Sequence, residues 1–293
     1  MCIRDSISRM NLSRIISGTM NWGTWGVNYS KQEMRQLISE SFDSGINSFD
    51  HADIYGGYTT EKSFGDAFAD TGIKREDVFF ISKCGIMYPS EKMPIKIKHY
   101  DYSKDHIIKS VDNSLKYLKT DYLDCLLLHR PSPLMDVSII TDTINSLIKS
   151  GKIKSFGVSN FTTSQMEMFK DKVEILYNQI NLSLTHVDHM FDGTLEYMQV
   201  NNILPMAYSP LGSYFKDEND DLNKVVDKLK NKYDCTDYEL LLCWLLNHPS
   251  KIYPVIGTTK SDRIKKSIKS LKIQIDLIDW FELLESSQGK RVP

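Results

Sequence analysis

The 293-residue chain is 41% apolar and 25% charged, with 36 basic and 38 acidic side chains and a formal net charge of −2. These proportions are typical of a folded protein and argue against a fibrous or disordered chain. The balanced charge provides no field for a phosphate backbone or an anionic bilayer, so we expect neither nucleic acid nor a membrane as partner. The five cysteines lack C-x-x-C spacing, and no secretion signal or long apolar run is recognisable, which predicts a cytoplasmic protein.

The two ends of the chain differ in how they relate to the predicted domain. Residues 1–6 resemble the in-frame translation of a sequencing adapter, and we predict that they are an artefact that takes no part in the fold. No repeat, low-complexity tract or linker divides the remainder. We therefore expect one domain that covers residues 10–293.

Short apolar runs of strand length alternate along the chain with longer stretches of helical periodicity. In the clearest helical stretch, 103–119, the residues Ile108, Val111, Leu115 and Leu118 fall on one stripe. The predicted strands are 14–20, 47–52, 78–84, 122–129, 155–160, 174–180, 204–210 and 251–257.

Strands that are separated by helices pair in parallel, because the crossover helix returns the chain to the same end of the sheet. Eight such units predict the α/β class and a closed (β/α)8 TIM barrel. An additional amphipathic helix is predicted over 277–286. The alternative is an open doubly wound sheet, whose G-x-G-x-x-G turn is missing because Gly23 and Gly26 have no matching third glycine.

Polar residues stand at the ends of three consecutive predicted strands. The second strand carries Asp50 and leads into a loop with Tyr55, the third reaches Lys83, and the fourth ends at His129. Neighbouring strands are about 4.8 Å apart, so these groups can converge on one small volume. The working residues of such barrels come from the carboxyl ends of the strands, which makes this the candidate active site.

The four residue types suggest proton transfer to a carbonyl oxygen. A buried lysine needs a partner, and Asp50 can provide it. The Lys83 ammonium would lower the tyrosine pKa from about 10 by stabilising the phenolate, and His129 would orient a substrate carbonyl. Taken singly, Asp50 as a turn cap, Tyr55 as a surface aromatic and His129 as a core histidine remain alternatives. The interpretation depends on all four occurring together.

Several segments carry a resemblance to a known family. They are Asp50-x-Ala52-x-x-Tyr55-Gly56, Ser82-Lys83, Leu128-His129, the run 152–161, Asn178-Gln179, Tyr208-Ser209-Pro210-Leu211-Gly212, and Val255-Ile256-Gly257 followed by Arg263-Ile264. In order and placement the chain resembles an aldo-keto reductase of the bacterial NADP-dependent type over its whole length after residue 10.

The resemblance implies roles for individual residues. Tyr55 would be the general acid, with Lys83 and Asp50 tuning its pKa and His129 positioning the substrate. The cofactor would be NADPH/NADP+ in preference to NADH, and no metal is implied. The residues expected at the cofactor are Ser159, Asn160 and Gln179 at the carboxamide, Tyr208 at the nicotinamide ring, Ser209, Leu211 and Gly212 at the pyrophosphate, and Thr258 and Arg263 at the 2′-phosphate.

The sequence departs from the family pattern mainly at the phosphate end. Many members have a lysine where this chain has Gly257, and acidic and amide residues where it has Lys266 and Ser267. We hypothesise that Lys260 restores the missing positive charge. His51 also stands where a small hydroxyl residue is usual, and would either touch the cofactor or pack.

The long loop 85–102 follows a predicted catalytic strand and lacks helical periodicity, so we expect it to wall the substrate pocket. Trp22, Trp25 and Tyr88 are the predicted apolar walls of that pocket. They favour aldehydes or ketones with aromatic or aliphatic bodies.

The sequence therefore predicts an NADPH-dependent enzyme that reduces the carbonyl of a small aldehyde or ketone to an alcohol; it does not indicate an oligomeric state. One alternative is a nicotinamide-binding regulatory or sensor subunit with little turnover. A barrel hydrolase or aldolase is a third interpretation, with Lys83 as a Schiff-base nucleophile or a metal at His129. The shortage of further ligands at strand ends disfavours the metal version.

Overall fold

A computed structural model describes residues 12–292, in which eight parallel strands close into a barrel. This confirms the predicted α/β class and (β/α)8 TIM barrel. The predicted artefact at residues 1–6 lies outside the described residues, as do positions 10, 11 and 293 of the predicted domain. The strands are β1 (Ile16–Gly18), β2 (Ser48–Asp50), β3 (Phe79–Cys84), β4 (Ile86–Met87), β5 (His99–Tyr100), β6 (Cys125–Leu128), β7 (Phe156–Ser159), β8 (Tyr177–Asn181), β9 (Leu204–Tyr208) and β10 (Tyr253–Ile256).

The barrel order is β1-β10-β9-β8-β7-β6-β3-β2, closed by parallel pairing of β1 with β2. All eight predicted strands are present in it, each shorter than or shifted slightly from its apolar run. The short strands β4 and β5 form a separate antiparallel pair inside the predicted pocket loop. The sequence did not predict this pair, because two-residue strands leave no periodic pattern.

Helices connect the strands and cover the outside of the barrel. They are α1 (Lys31–Asp43), α2 (Tyr55–Tyr58), α3 (Thr60–Phe68), α4 (Lys104–Leu118), α5 (Val137–Lys149), α6 (Thr163–Glu167), α7 (Thr194–Val200), α8 (Asp220–Lys232), α9 (Asp237–Leu246), α10 (Ser261–Lys269) and α11 (Leu277–Gln288), with 3-10 turns at Arg75–Asp77, Asp188–Met190 and Ser270–Lys272. None of the helices within residues 12–292 is long and apolar enough to span a membrane.

Helix α4 confirms the predicted helix at 103–119. Ser103 caps its first turn by accepting a hydrogen bond from the His106 backbone nitrogen. The buried stripe is rotated from the predicted one towards Ile107 and Ser114. A serine is tolerated there because the Ser114 hydroxyl donates to the buried carboxylate of Glu61 at 3.0 Å.

The predicted C-terminal helix is α11, which packs on α8 and α9. The rings of Trp244 and Trp280 stack at 4.7 Å between centroids. Lys228 on α8 also pairs with Glu282 on α11 at 2.8 Å. The extra helix therefore packs on the outer helical layer of the barrel.

Apolar side chains fill the interior below the strand ends. Ile81, Leu127 and Tyr177 belong to one buried cluster inside the barrel. Side chains two positions apart on a strand share a face. Lys83 and Gln179 therefore point inward one layer above Ile81 and Tyr177, which places polar groups at the carboxyl-terminal rim.

Candidate active site

The ammonium group of Lys83 is the centre of a buried polar network at this rim. Its Nζ lies 2.7 Å from the Asp50 carboxylate and donates to the His51 carbonyl at 2.8 Å and the Tyr55 hydroxyl at 3.0 Å. These three bonds use all the donors of an ammonium group. Lys83 is 1% exposed and Asp50 is 3% exposed, so the ion pair compensates two charges that burial would otherwise penalise.

Strand register and one tight turn bring these groups together. Asp50 is paired with Ile81 on β3, so Lys83 lies two residues further along the neighbouring strand. Gly56, directly after Tyr55, has φ of +60°, and a Cβ there would lie 2.5 Å from the Thr60 hydroxyl. Only glycine fits this turn, which directs the preceding tyrosine back towards Lys83.

The charge states of the network differ in part from the sequence-based expectation. Burial lowers the pKa of Lys83, but Asp50 and Tyr55 outweigh this effect, and its pKa is raised overall. Burial raises the pKa of Tyr55, which the nearby Lys83 ammonium offsets only partly. The expected net lowering of the Tyr55 pKa is therefore wrong, because desolvation exceeds the attraction of the cation. At neutral pH the phenol keeps its proton.

His129 lies beside Tyr55, as the strand ends predict. Their ring centroids are 6.0 Å apart in an edge-to-face arrangement, and the backbone nitrogen of His129 donates to the Cys84 carbonyl. Burial, assisted by the charges of Lys83 and Arg130, places the pKa of His129 well below its ordinary value. The imidazole is therefore neutral and keeps one N–H donor.

A second chain of hydrogen bonds joins four of the predicted cofactor residues. The Gln179 side-chain nitrogen donates to Asp50 at 2.9 Å, and the Ser159 hydroxyl donates to the backbone carbonyl of Gln179 at 2.9 Å. Asn160 donates to Ser159 at 2.8 Å and accepts from the Tyr208 hydroxyl at 2.9 Å. The chain runs over the ends of β7, β8 and β9 and reaches the Lys83 network at Asp50.

These two networks border a cavity of about 620 Å³. Lys83 lies beneath it, behind the side chains of Asp50 and Tyr55. The predicted site residues that line the cavity are Asp50, Tyr55, His129, Ser159, Gln179, Tyr208, Ser209, Trp25 and Tyr88.

Trp22 does not line the cavity, so its predicted place in the substrate pocket is wrong. Its ring is fully buried and packs 6.3 Å from Phe49 and 6.1 Å from Phe64. Its indole nitrogen donates to the Thr258 carbonyl at 3.1 Å, which satisfies the only polar atom of the side chain. Trp25, in contrast, is 37% exposed, with its ring 5.0 Å from that of Tyr88.

The predicted phosphate residues Leu211, Gly212, Thr258 and Arg263 do not line this cavity, and neither does Asn160. Arg263 is exposed on the first turn of α10. The Thr258 hydroxyl accepts a hydrogen bond from the Lys260 backbone nitrogen at 3.1 Å. Their roles at the phosphate groups stay predictions.

Most of the residues that depart from the family pattern contact other residues of the protein. His51 is fully buried, lies 4.3 Å from the ring of Phe64 and shares a hydrogen bond with Thr19, so it packs in the core. The Ser267 hydroxyl is bonded to the Tyr238 hydroxyl at 2.8 Å. Lys266 pairs with Asp262.

Two cationic residues that sequence reasoning missed also line the cavity, Arg130 and Lys98. Arg130 directly follows His129, so its position at a strand end could have indicated that it lines the cavity. Lys98 stands in a segment with three other lysines at positions 92, 96 and 104, where a lysine reads as a solvated surface charge. Within residues 12–292 no cluster of three histidine, cysteine or acidic side chains could hold a metal ion.

Comparison with known proteins agrees with this geometry. The model of the aldo/keto reductase family matches residues 14–286. The uncharacterized oxidoreductase YcsN of Bacillus subtilis is 40% identical, and the 6-dehydroglucose reductase of Agrobacterium fabrum is 34% identical; each alignment covers 97% of both chains.

Solved structures share the fold. A thermostable aldo-keto reductase crystallised with the inhibitor epalrestat has a TM-score of 0.81 at 26% identity, over 94% of this chain and 95% of that one. A Klebsiella pneumoniae aldo/keto reductase crystallised with NADP and acetate has a TM-score of 0.78 at 24% identity, over 96% and 93%. The sequence matches and the fold together show that the chain belongs to the aldo/keto reductase family of NAD(P)H-dependent oxidoreductases, whose general activity is carbonyl reduction with NADPH.

Proposed function

We propose that this protein reduces the carbonyl of a small aldehyde or ketone to an alcohol with NADPH, and that Tyr55 is the proton donor. The observation that carries the proposal is the Asp50–Lys83–Tyr55 hydrogen-bond network at the wall of a cavity that His129 also lines. A protonated phenol beside a buried ammonium and a neutral imidazole suits proton donation to a carbonyl oxygen.

The cavity wall fits a nicotinamide group. The Gln179 amide nitrogen is used on Asp50, while no residue among 12–292 donates to its oxygen, which is free to accept from a carboxamide. Tyr208 lines the cavity and can place its ring against the nicotinamide. Gly257 also lines the cavity and has no side chain that would occupy it. Ser159, Asn160, Gln179 and Tyr208 would hold the nicotinamide; Ser209, Leu211, Gly212, Thr258 and Arg263 would hold the phosphate groups. When bound, the cofactor supplies the hydride.

The chain's own residues supply the proton and its stabilisation. His129 donates its N–H to the substrate carbonyl oxygen and holds it near the Tyr55 hydroxyl. As the carbonyl carbon gains the hydride, Tyr55 transfers its proton to that oxygen, and the product is an alcohol. The negative charge left on Tyr55 faces the Lys83 ammonium at 3.0 Å, and Asp50 keeps this lysine protonated.

Exchange of Tyr55 for phenylalanine tests the proposal. Tyr55→Phe removes the proton and leaves the ring in place, so we expect the turnover of 4-nitrobenzaldehyde to fall about a thousandfold. NADPH affinity, measured by quenching of tryptophan fluorescence, should stay within about twofold, since the assigned cofactor residues are untouched. Full turnover by the variant would refute the role of Tyr55. Tight NADPH binding without turnover in the unmodified protein would favour the sensor alternative.

We also propose that the protein works in the cytoplasm. The four cysteines within residues 12–292, Cys84, Cys125, Cys235 and Cys243, are all free. Free cysteines are typical of a reducing compartment. Detection of the protein in a cell fraction other than the cytoplasm would contradict this assignment.

A further inference from the structure

Two cationic side chains, Arg130 and Lys98, face the cavity without a partner of opposite charge. Neither lies within 4.0 Å of a carboxylate in residues 12–292. Several other lysines, in contrast, pair with an aspartate or a glutamate. The one carboxylate among the described residues that line the cavity is Asp50, and Lys83 and Gln179 already bind it. The cavity therefore carries two positive charges that the protein does not neutralise.

Arg130 is held in place for contact with a ligand. The Tyr102 hydroxyl is hydrogen-bonded to both the backbone nitrogen and the carbonyl of Arg130. The guanidinium donates to the Tyr208 hydroxyl at 3.3 Å and lies 5.6 Å from the centre of its ring. The remaining guanidinium N–H groups have no hydrogen bond to a residue within 12–292. The guanidinium is therefore held in place, and most of its donors are available to a ligand.

Both cations lie on the side of the cavity away from the predicted phosphate groups. Arg130 follows β6, and Lys98 precedes β5 in the pocket loop. Of the predicted phosphate residues, Ser209, Leu211 and Gly212 follow β9, which two strands separate from β6 in the barrel order. Thr258 and Arg263 follow β10, which three strands separate from β6. We therefore assign the two cations to the substrate and not to the phosphate groups of a cofactor.

We propose that Arg130 and Lys98 select carbonyl substrates whose chain, beyond the reacting carbon, carries oxygen acceptors in the form of hydroxyl or carboxylate groups. This inference rests on the proposed carbonyl reduction. Arginine and lysine bind such oxygens through charged hydrogen bonds, and the arginine fork suits two neighbouring oxygens. A hydrocarbon substituent would displace water from both cations without replacing the lost hydrogen bonds, which would weaken its binding. Trp25 and Tyr88 line the same cavity, so the expected apolar part of the substrate stays a prediction beside these oxygens.

Two matched pairs of aldehydes test the selection in the unmodified protein. Succinic semialdehyde is compared with its methyl ester, and glyceraldehyde with propanal, each as kcat/KM per free aldehyde. We expect a preference of at least about tenfold for the oxygen-rich member of one pair or both, which corresponds to one charged hydrogen bond. Preference in the first pair alone identifies a carboxylate, and preference in the second identifies hydroxyl groups. Preference in neither pair would overturn the inference.

The variants Arg130→Met and Lys98→Met assign the preference to these residues. The ratio of kcat/KM within the preferred pair should fall towards one in each variant, mainly through KM. General damage to the fold would lower kcat/KM for both aldehydes of the pair and leave their ratio unchanged. That result would contradict the assignment. Lys96→Met changes an exposed lysine of the same loop that does not line the cavity, and should leave both members unaffected.

The outcome for 4-nitrobenzaldehyde separates this inference from the proposed function. If the unmodified protein reduces that compound but prefers neither oxygen-rich aldehyde, the selection by Arg130 and Lys98 is wrong and the reaction class stands. If it reduces none of the five aldehydes, both proposals fail.

Discussion

The two ends of the proposed active site are built differently. At the proton-transfer end, Asp50, Lys83 and Tyr55 are buried and bonded to one another before any ligand arrives. At the predicted phosphate end, Arg263 is exposed on a helix, and the hydrogen bonds of Lys260 to other residues within 12–292 are made by its backbone. The first end is organised by the fold, whereas the second presents exposed cationic side chains that a ligand would engage. Mutations should therefore affect fold and chemistry together at the first end and cofactor affinity alone at the second.

Among the variants that test this contrast, removal of the central lysine should have the largest combined effect on activity and stability. In Lys83→Met, Tyr55 loses its cationic partner and Asp50 stays buried with only Gln179, so we expect kcat to fall by at least about a hundredfold. The free energy of unfolding should fall by about 3 kcal/mol, the usual cost of an uncompensated buried charge. Denaturant titration and steady-state kinetics measure the two effects.

The double variant Asp50→Asn/Lys83→Met is the matched control for the lysine. It removes both charges, so it should recover most of the lost stability but none of the activity. Equal stability of the single and double variants would show that the ion pair is not what organises this end.

A buried carboxylate behind the network should make stability depend on pH. Burial raises the pKa of Glu61 to about 7, and its bonds from Ser82 and Ser114 offset this only partly. The folded protein then holds a proton that the unfolded chain releases near pH 4.3, so stability falls as the pH rises from 4.3 to 7. Between pH 5 and 8, this group should lower the free energy of unfolding by about 3 kcal/mol.

In denaturant titrations at pH 5 and pH 8, the free energy of unfolding of Glu61→Gln should lack this part of the pH dependence. The exposed Glu91→Gln serves as its control and should keep the dependence of the unmodified protein. An identical fall in Glu61→Gln and the unmodified protein would contradict the role of Glu61.

The smallest effects are expected at the phosphate end. Arg263→Ala should weaken NADPH about tenfold, through one charged hydrogen bond, and leave NADH affinity and the free energy of unfolding unchanged. For Lys260→Ala we expect a loss of about threefold, since an exposed lysine interacts through screened charge. Fluorescence titration with both nucleotides checks this. A loss of thermal stability in Arg263→Ala would break the contrast between the two ends, and unchanged NADPH affinity in Lys260→Ala would count against its hypothesised role.

The sequence predicts best what strand geometry dictates. Asp50, Lys83 and His129 stand at strand ends where no packing reason calls for them, so both the barrel and the meeting of these side chains follow from the pattern. The direction of loop side chains does not follow in this way. Trp22 and Trp25 look equivalent in the sequence, yet one packs in the core and the other faces the cavity.

The Tyr55 pKa was beyond sequence reasoning for a related reason. Its direction depends on how much water burial removes from the phenol, and a list of neighbouring charges does not contain that quantity. Similarly, Lys98 is exposed, as its lysine-rich segment predicts, and only the folded loop shows that it also borders the cavity.

The hydrogen bond between Gln179 and Asp50 joins β8 to β2, which are four strands apart in either direction around the barrel. It thus spans the mouth of the barrel along a full diameter, and in the proposed function one amide would serve both the nicotinamide and the network around Lys83. A substitution of Gln179 that alters its proposed contact with the carboxamide should also loosen the carboxylate beside Lys83. At this position we expect cofactor binding and catalytic rate to change together.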